Sequence, residues 1–187
     1  MPKKFDRKMR AALETLLQDR SLDNITVSDL TTTAGITRPA FYYHFSSVQE
    51  YIEDTLEKQL KRVFVKHPDG LDAIPAALME LLEAFKDQSV YVNKIYESQY
   101  YQPYQDKLKE LLTDVFTERT AEYLKNRNEH VTWRDKRLFI RLAVNSCIEL
   151  IEVFLSQNMH ADPAALMAKY RIYMGRPFSQ VLSDFSV

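Results

Sequence analysis

The segment GITRPAFYYHF, residues 35–45, gathers side chains whose types suit contact with a polyanion. Arg38 is its one long cation, and a guanidinium can pair with O6 and N7 of guanine. Tyr42, Tyr43 and His44 can donate hydrogen bonds to phosphate oxygens without carrying a full charge. One arginine is little charge for a nucleic-acid reader, so the neutral donors must supply much of any such contact.

The residues around this segment have the spacing of two short capped helices joined by a tight turn. Thr26 followed by Asp29 is a capping-box pattern that predicts a helix start. Gly35 suits a left-handed turn residue, and Thr37 precedes a proline that the first turn of a helix tolerates. This order predicts a helix-turn-helix over about residues 26–45, whose second helix would enter the DNA major groove.

Helical periodicity continues through the rest of the chain. Only three glycines occur in 187 residues, which argues against β-hairpins and phosphate-binding loops. We therefore predict an all-α fold with helices at about residues 3–18, 47–65, 72–87, 89–98, 103–126, 133–158 and 163–184. Gly175 and Pro177 should kink or break the last of these. We expect a three-helix DNA-binding domain at residues 1–47 and a helical effector-binding and dimerisation domain at residues 48–187.

Composition limits the partners and the location. The net charge of −1 gives no overall attraction to nucleic acid, although residues 1–66 carry +2 and residues 67–187 carry −3. That asymmetry is weak support for DNA binding by the N-terminal part. The sequence contains no run of 18 apolar residues, so it predicts no membrane span. The N-terminus lacks the apolar core of a signal peptide. We therefore expect a cytoplasmic protein with no membrane partner.

Residues 25–52, ITVSDLTTTAGITRPAFYYHFSSVQEYI, closely resemble the N-terminal domain of the TetR family of bacterial transcriptional regulators. The resemblance is strong over about residues 5–60 and extends to the rest in plan, which implies helices that form a ligand pocket and then two that form a dimer. The C-terminal plan also faintly resembles the dihydroxyacetone-kinase regulators. The matching residues are Thr26, Leu30, Ala34, Gly35, Ile36, Thr37, Tyr42, His44, Phe45 and Ser47.

Two positions depart from the family pattern. Val48 stands where the family usually has a lysine that touches a phosphate, so one backbone contact should be missing and the salt dependence of DNA binding should be shallower. Thr31 stands where the family usually has alanine, and it is slightly large for a helix crossing. Neither departure changes the assignment.

The candidate DNA contacts divide by chemistry. Arg38 is the candidate base reader, and Pro39 and Ala40 offer apolar surface to thymine methyl groups. The resemblance implies phosphate contacts for Tyr42 and His44. Tyr43 lies between them and could reach a phosphate or a base edge, whereas Phe41 and Phe45 share the face of Leu30 and should be core. Helix starts provide further candidates, because free N–H groups there favour phosphate: Thr26, Ser28 and Thr37.

A simpler interpretation of the aromatic residues in this segment is structural, because aromatic residues at helical spacing belong to the core more often than to a binding surface. His44 could equally be a partly exposed histidine without a role.

A tyrosine-rich stretch, residues 91–104, is a candidate wall for an effector pocket, because tyrosine offers a flat apolar face and a hydroxyl. The alternative is ordinary helix packing with exposed hydroxyl groups. The candidate pocket residues are Tyr96, Tyr100, Tyr104, Phe116 and Asn145.

The helix at about residues 133–158 is apolar over most of its circumference, so it should be buried on more than one side. One side can pack on its own domain and another on a second subunit, with the final helix completing the four-helix interface that the resemblance implies. A polar strip (Arg141, Asn145, Glu149, Glu152, Ser156) faces either solvent, at the rim of a dimer, or a polar cavity. The candidate interface residues are Ile148, Ile151, Leu155, Leu166, Tyr170 and Tyr173.

Enzyme chemistry has little support. The four histidines lie in separate segments without metal-ligand spacing, and Cys147, in the most apolar helix, should be an inert buried thiol. We expect no catalytic residues, no cofactor and no metal ion.

We interpret the chain as a homodimeric, sequence-specific regulator, most simply a repressor, that binds a palindromic operator in double-stranded DNA and is released by a small-molecule effector. The alternative is a related activator or repressor controlled by a protein partner. A closed apolar cavity would favour a metabolite, and an exposed apolar patch outside the dimer interface would favour a protein.

Overall fold

A computed structural model describes residues 3–184, except for the side chains of residues 3 and 173. This part of the chain holds ten α-helices and no β-strand, which confirms the all-α prediction. The helices are α1 (Lys3–Leu16), α2 (Val27–Ala34), α3 (Arg38–Tyr42), α4 (Val48–Lys66), α5 (Ile74–Asp87), α6 (Ser89–Tyr96), α7 (Tyr101–Arg127), α8 (Trp133–Ser156), α9 (Pro163–Met174) and α10 (Phe178–Ser183). Within the described range, none of them is both long and apolar enough to cross a bilayer.

The chain forms two compact units. One contains the residues up to Leu56 together with Gln88–Tyr104, and the other contains Glu57–Asp87 together with the residues from Gln105 onward. The helices α4 and α7 therefore each contribute to both units. The predicted boundary between residues 47 and 48 does not coincide with the division into compact units, and the functional boundary remains a prediction.

The core of the first unit forms because α1 and α2 each bury one apolar face. Met9, Leu13 and Leu17 follow at spacings of four and are almost completely buried. Leu30 of α2 and Phe41 of α3 are buried with them. These contacts fix α3, which has five residues and would not be stable as an isolated helix.

The core of the second unit is aromatic. The rings of Phe116, Phe139 and Phe178 lie with centroids 5.2 to 6.5 Å apart. Such edge-to-face contacts bring α7, α8 and α10 together.

The end of α4 is held by an arginine from α7. The Arg119 guanidinium donates to the carbonyl oxygens of Phe64, His67 and Gly70 at 3.3, 2.5 and 2.8 Å. The Phe64 carbonyl also accepts from the His67 N–H at 3.3 Å, so Arg119 supplements the backbone bonding at the end of α4 and ties the loop after it to α7. Burial lowers the pKa of Arg119 below its usual value.

The last predicted helix is broken where the sequence indicates. The helix α9 ends at Met174, followed by Gly175 with a φ of 70°, and α10 begins after Pro177. A positive φ is favourable for glycine and strained for most other residues, which explains the break.

Candidate nucleic-acid interface

The helix α2 begins with a complete capping box. The Thr26 hydroxyl accepts from the Asp29 backbone N–H at 3.2 Å, while the Asp29 carboxylate accepts from the Thr26 N–H at 2.9 Å and from its hydroxyl at 2.6 Å. These bonds, with the Arg20 guanidinium at 3.2 Å, lower the pKa of Asp29. Both Thr26 donors are therefore used within the protein. A phosphate at this helix start would meet the N–H groups of Val27 and Ser28 rather than the Thr26 hydroxyl.

The turn after α2 has the geometry that the glycine predicts. Gly35 adopts φ 59° and ψ 46°, and the Ile36 N–H donates to the Thr31 carbonyl at 3.0 Å. This pattern closes the C-terminus of a helix with a left-handed residue. The buried Thr31 hydroxyl donates to the Val27 carbonyl at 2.8 Å, so the hydroxyl is satisfied where relatives usually have alanine.

The helix α3 is capped by Thr37, whose hydroxyl accepts from the Ala40 N–H at 3.3 Å. Pro39 has no N–H, and the Phe41 N–H donates to the Thr37 carbonyl at 3.2 Å. The Arg38 N–H is therefore the main free donor at this short helix start. The Arg38 side chain is exposed and forms no ion pair with any residue in the described range.

The two faces of α3 differ as the sequence predicts. Phe41 is fully buried and Phe45 is 3% exposed, with ring centroids 5.7 Å apart, which confirms the core prediction for both. Tyr42 is 57% exposed and Tyr43 is 84% exposed. Together with Arg38 and Pro39, these two tyrosines form an exposed surface, which we call the α3 face. Large exposed aromatics on a rigid support are unusual and indicate a binding surface.

The imidazole of His44 is oriented by neighbouring rings. Its centroid lies 4.7 Å from that of Phe5 and 4.9 Å from that of Tyr43. The side chain is half-buried, so one edge remains accessible beside the α3 face. Its predicted phosphate contact remains a prediction.

Lys8 is a candidate that the sequence patterns did not single out. Its Nζ lies 3.4 Å from the Gly35 carbonyl oxygen, so α1 brings a cation to the turn between α2 and α3. The two residues are 27 positions apart. In the sequence, Lys8 is one of four cations of the first helix, with Lys4, Arg7 and Arg10, and nothing in the pattern separates it from the other three.

The start of α4 is also capped. The Ser47 hydroxyl accepts from the Glu50 N–H at 3.1 Å, and the Glu50 carboxylate accepts from the N–H of Ser46 at 2.7 Å. Hydrogen bonds from Ser46 lower the pKa of Glu50. Val48 is 6% exposed, so this position contributes to the core instead of offering a cation.

The five predicted effector residues fall into different environments. Tyr96, Tyr100 and Tyr104 belong to the first unit, where Tyr104 is 3% exposed and burial raises its pKa well above the usual value. Phe116 belongs to the second unit and lies in its aromatic core, whereas Asn145 is exposed. Phe116 is thus a core ring and Asn145 an exposed amide, and the effector site remains a prediction.

The predicted dimer residues are mostly turned inward. Ile151 and Leu155 are each 2% exposed and Tyr170 is 8% exposed, so they have little surface left for a second subunit. Ile148 and Leu166 are half-buried, and the Tyr173 side chain lies outside the described residues. Because α8 is apolar on several sides, its residue pattern does not say which side packs on its own unit, and the dimer interface remains a prediction. Among the side chains of α8 and α9 that the structure describes, the large exposed apolar ones are Trp133, Leu138, Leu142 and Ile172.

Cys147 is fully buried in α8. Burial raises the pKa of its thiol to about 12, and the Tyr170 hydroxyl lies 3.7 Å from its Sγ. A thiol that stays protonated is a poor nucleophile, in agreement with the prediction of an inert side chain.

Two family models match the chain. Residues 9–51 match "Bacterial regulatory proteins, tetR family", and residues 72–175 match "Transcriptional regulator C-terminal region". The uncharacterised HTH-type transcriptional regulator YwcC of Bacillus subtilis is 31% identical over 105 residues, which are 49% of this chain and 47% of that protein. The chain thus spans about half the length of this curated relative.

Solved structures share the fold. The fatty acid degradation regulator FadR from Bacillus halodurans aligns with a TM-score of 0.58 at 14% identity, over 98% of this chain and 96% of that chain. The dihydroxyacetone kinase operon activator DhaS aligns with a TM-score of 0.52 at 17% identity, over 97% and 91%. These matched proteins are regulators and not enzymes. With an N-terminal and a C-terminal family match on one helical chain, the protein belongs to the TetR family of bacterial transcriptional regulators, whose members bind DNA.

Proposed function

We propose that the protein is a homodimeric repressor that binds a palindromic operator through α2 and α3 and is released by a small-molecule effector. The observation that carries the DNA-binding part is the α3 face, in which Arg38, Tyr42 and Tyr43 are exposed on a helix whose opposite side is anchored by Phe41. A repressor of this kind acts by occupying DNA that the transcription machinery needs, which fits a cytoplasmic location.

Recognition on the α3 face divides between one charged and several neutral groups. Arg38 would read a guanine edge through its bidentate guanidinium, with Pro39 and Ala40 beside it for thymine methyl contacts. Tyr42, Tyr43 and His44 would position the backbone through phosphate contacts that carry no sequence information. Lys8 would add one ionic phosphate contact close to the turn.

Dimerisation has a physical motive. A five-residue reading helix makes few base contacts, whereas a two-fold pair reads two half-sites about 34 Å apart. The exposed Leu138 and Leu142 of α8 and Ile172 of α9 are apolar surface that supports such an association.

Release by an effector is a linkage between two sites. An effector bound in residues 48–187 lowers DNA affinity only if it binds better to a dimer whose two α3 faces have the wrong separation. Tyr96, Tyr100 and Tyr104 of the first unit remain the candidate contacts for it.

A groove on the second unit supports the alternative of a protein effector. It has a volume of about 490 Å³, and its apolar lining is Leu60, Phe64 and Val65 of α4, Pro68, and Leu111 and Val115 of α7. The other lining residues are charged: Glu57, Lys61, Asp114, Glu118, Arg119 and Glu122. Val65 is 77% exposed. An open groove that combines apolar and charged side chains suits an amphipathic partner helix better than it suits an enclosed metabolite.

The test is binding of the purified protein to DNA from the promoter region of its own gene. Fluorescence anisotropy at several salt concentrations should show sequence-preferring binding that weakens as salt rises. Equal affinity for the promoter and for shuffled DNA would refute operator binding. The same assay with candidate metabolites, and separately with candidate protein partners, distinguishes the two kinds of effector.

A further inference from the structure

The groove of the second unit is bounded by two matching rows of residues. On the α4 side the lining runs from Glu57 to Pro68, and on the α7 side it runs from Leu111 to Glu122. Both rows have spacings of three, one, three, one and three, which is one side of a helix over three turns. At 1.5 Å per residue each row is about 16 Å long. We call this surface the α4–α7 groove.

The apolar surface of the α4–α7 groove extends from a buried floor to an exposed edge. Leu60 and Phe64 are buried, Leu111 and Val115 are half-buried, and Val65 is exposed. A side chain as apolar as Val65 gains free energy when it is covered. The groove therefore offers apolar surface that a further helix can remove from water.

Three charged side chains of the groove are already bonded within the chain. The Lys61 ammonium lies 2.5 Å from the Glu57 carboxylate, which also has Lys107 at 3.8 Å. The Arg119 guanidinium is buried and donates to carbonyl oxygens at the end of α4 and in the loop after it. These groups stabilise the groove itself and are not the ones that select a partner.

The remaining charges form a row of carboxylates on α7. Asp114, Glu118 and Glu122, which we call the acidic row, are exposed, and none of them forms an ion pair within the described range 3–184. Like charges four residues apart repel each other, so the row does not stabilise α7. The lining holds four carboxylates and two cations, a net charge of −2. A partner that balances this charge must be basic.

We propose that the α4–α7 groove binds a basic amphipathic helix of a partner protein. Apolar side chains of that helix cover Val65, Leu111 and Val115, while its lysine or arginine side chains, spaced by four, pair with the acidic row. This inference rests on the protein-effector alternative of the proposed function and specifies the chemistry of that partner. Because α4 contributes to both compact units, the partner binds an element that is shared with the unit containing α3.

The shape of the groove favours a helix as its occupant. Within the second unit, α4 and α7 lie side by side, since Glu57 is close to Lys107 and the end of α4 is bonded to Arg119. The trough between two packed helices accepts a third at an axis separation of about 8–10 Å. The acidic row repels the phosphates of DNA and of anionic lipids, so the charges favour a basic polypeptide.

A synthetic peptide tests the charge match. The probe is a fluorescently labelled helical peptide of about 14 residues, with leucines on one face and lysines spaced by four beside them. Anisotropy titrations with the full chain should show saturable binding at micromolar concentrations. Glu118→Lys should weaken this binding about tenfold or more, because a cation of the peptide then meets a cation of the groove. Glu83→Lys reverses an exposed carboxylate of α5 outside the groove, makes the same change in net charge and should leave binding unchanged.

The reciprocal experiment changes the peptide. A peptide with glutamate in place of lysine should not bind the parent and should bind the double variant Asp114→Lys/Glu118→Lys. Val65→Ser keeps the charge, removes exposed apolar surface and should weaken binding of the lysine peptide several-fold. Circular dichroism verifies that each variant is folded, and the gain of binding by the double variant is not explained by a loss of stability.

The outcomes separate this inference from operator binding. A lysine peptide that does not bind, or that loses equal affinity in the Glu83 and Glu118 variants, overturns the inference and leaves the DNA titrations of the parent unaffected. If Glu118→Lys instead abolishes self-association of the chain in sedimentation, a second copy is the occupant and the inference is wrong. A parent that binds the lysine peptide but does not prefer its promoter DNA supports the groove and refutes the operator.

Discussion

At the scale of single residues, the candidate DNA surface depends on few charges in defined positions. Arg38 is the one exposed cation of α3, and Lys8 reaches the neighbouring turn from α1. The tyrosines beside Arg38 are exposed because Phe41 and Phe45 take the inward positions of the same segment. Each of these side chains can therefore be changed without opening the core.

Arg38→Ala should relax sequence preference. Loss of a bidentate guanine contact costs about 1–3 kcal/mol at the matched base and less at others, so the ratio of operator to shuffled-DNA affinity should fall roughly 5- to 150-fold. Anisotropy titrations on a set of single-base operator variants measure this change. Arg62→Ala removes the same charge from an exposed position of α4 and should keep the parent's preference. An unaltered preference in the Arg38 variant would remove it as the base reader.

Lys8→Ala should act on all sequences alike. A phosphate contact contributes counterion release and no base information, so the slope of log affinity against log salt should become shallower by about 1. Titrations of operator and shuffled DNA at four salt concentrations measure that slope. Lys8→Arg keeps the charge and should keep the slope. A slope that stays the same after loss of Lys8 would mean that its ammonium serves only the Gly35 carbonyl.

At the scale of the elements, the local signals in the sequence were sufficient for the helix-turn-helix. Caps and turn residues act within three or four positions, so Thr26, Gly35, Thr37 and the break at Gly175 could be recognised without tertiary information. The contact of Lys8 with the turn could not, because it depends on packing of residues 27 positions apart. Nor does the sequence show that Tyr96 and Phe116 belong to different compact units, because that division depends on contacts between distant segments.

The orientation of α8 shows a second limit. An apolar residue pattern over most of a helix predicts burial but does not say which side packs on its own unit. Ile151 and Leu155, two of the candidate interface residues, are buried within the chain, while Leu138 and Leu142 are exposed. The polar strip was the better guide, because Asn145 and Glu149 mark the outer side.

Thr26→Ala should destabilise the protein by about 1 kcal/mol through loss of the N-cap of α2. Because hydrogen bonds from Thr26 lower the folded-state pKa of Asp29, that carboxylate adds stability above its unfolded pKa, and this stability is lost as pH falls through the folded pKa. The variant should therefore lose less stability than the parent between neutral and acid pH. Urea unfolding at a series of pH values measures both effects, with Thr26→Ser as a control that keeps the hydroxyl.

Gly35→Ala tests the turn without a steric contribution. A Cβ at this position would have no heavy atom within 4 Å, so its cost is the left-handed backbone alone, about 1 kcal/mol. Thermal unfolding should show the loss, and Gly35→Asn should lose less because asparagine tolerates this conformation better. Equal stability of all three proteins would indicate that the turn can change its conformation.

At the scale of the whole molecule, two subunits that each bind a half-site weakly bind the full operator tightly only if they are joined in a dimer. Binding of the second half-site by a linked subunit is intramolecular, so the palindrome gains about a hundredfold or more over an isolated half-site. Leu142→Lys places a charge on exposed apolar surface of α8, where the monomer can solvate it and a partner helix cannot. The variant should keep the half-site affinity of the parent and lose the higher affinity for palindromic DNA.

Val65→Lys, a matched change at an exposed apolar residue of α4, should retain the higher affinity for palindromic DNA. Anisotropy on palindromic and half-site DNA, with sedimentation on the same samples, measures both quantities. A monomeric Leu142 variant that still prefers the palindrome would mean that each subunit reads its operator independently.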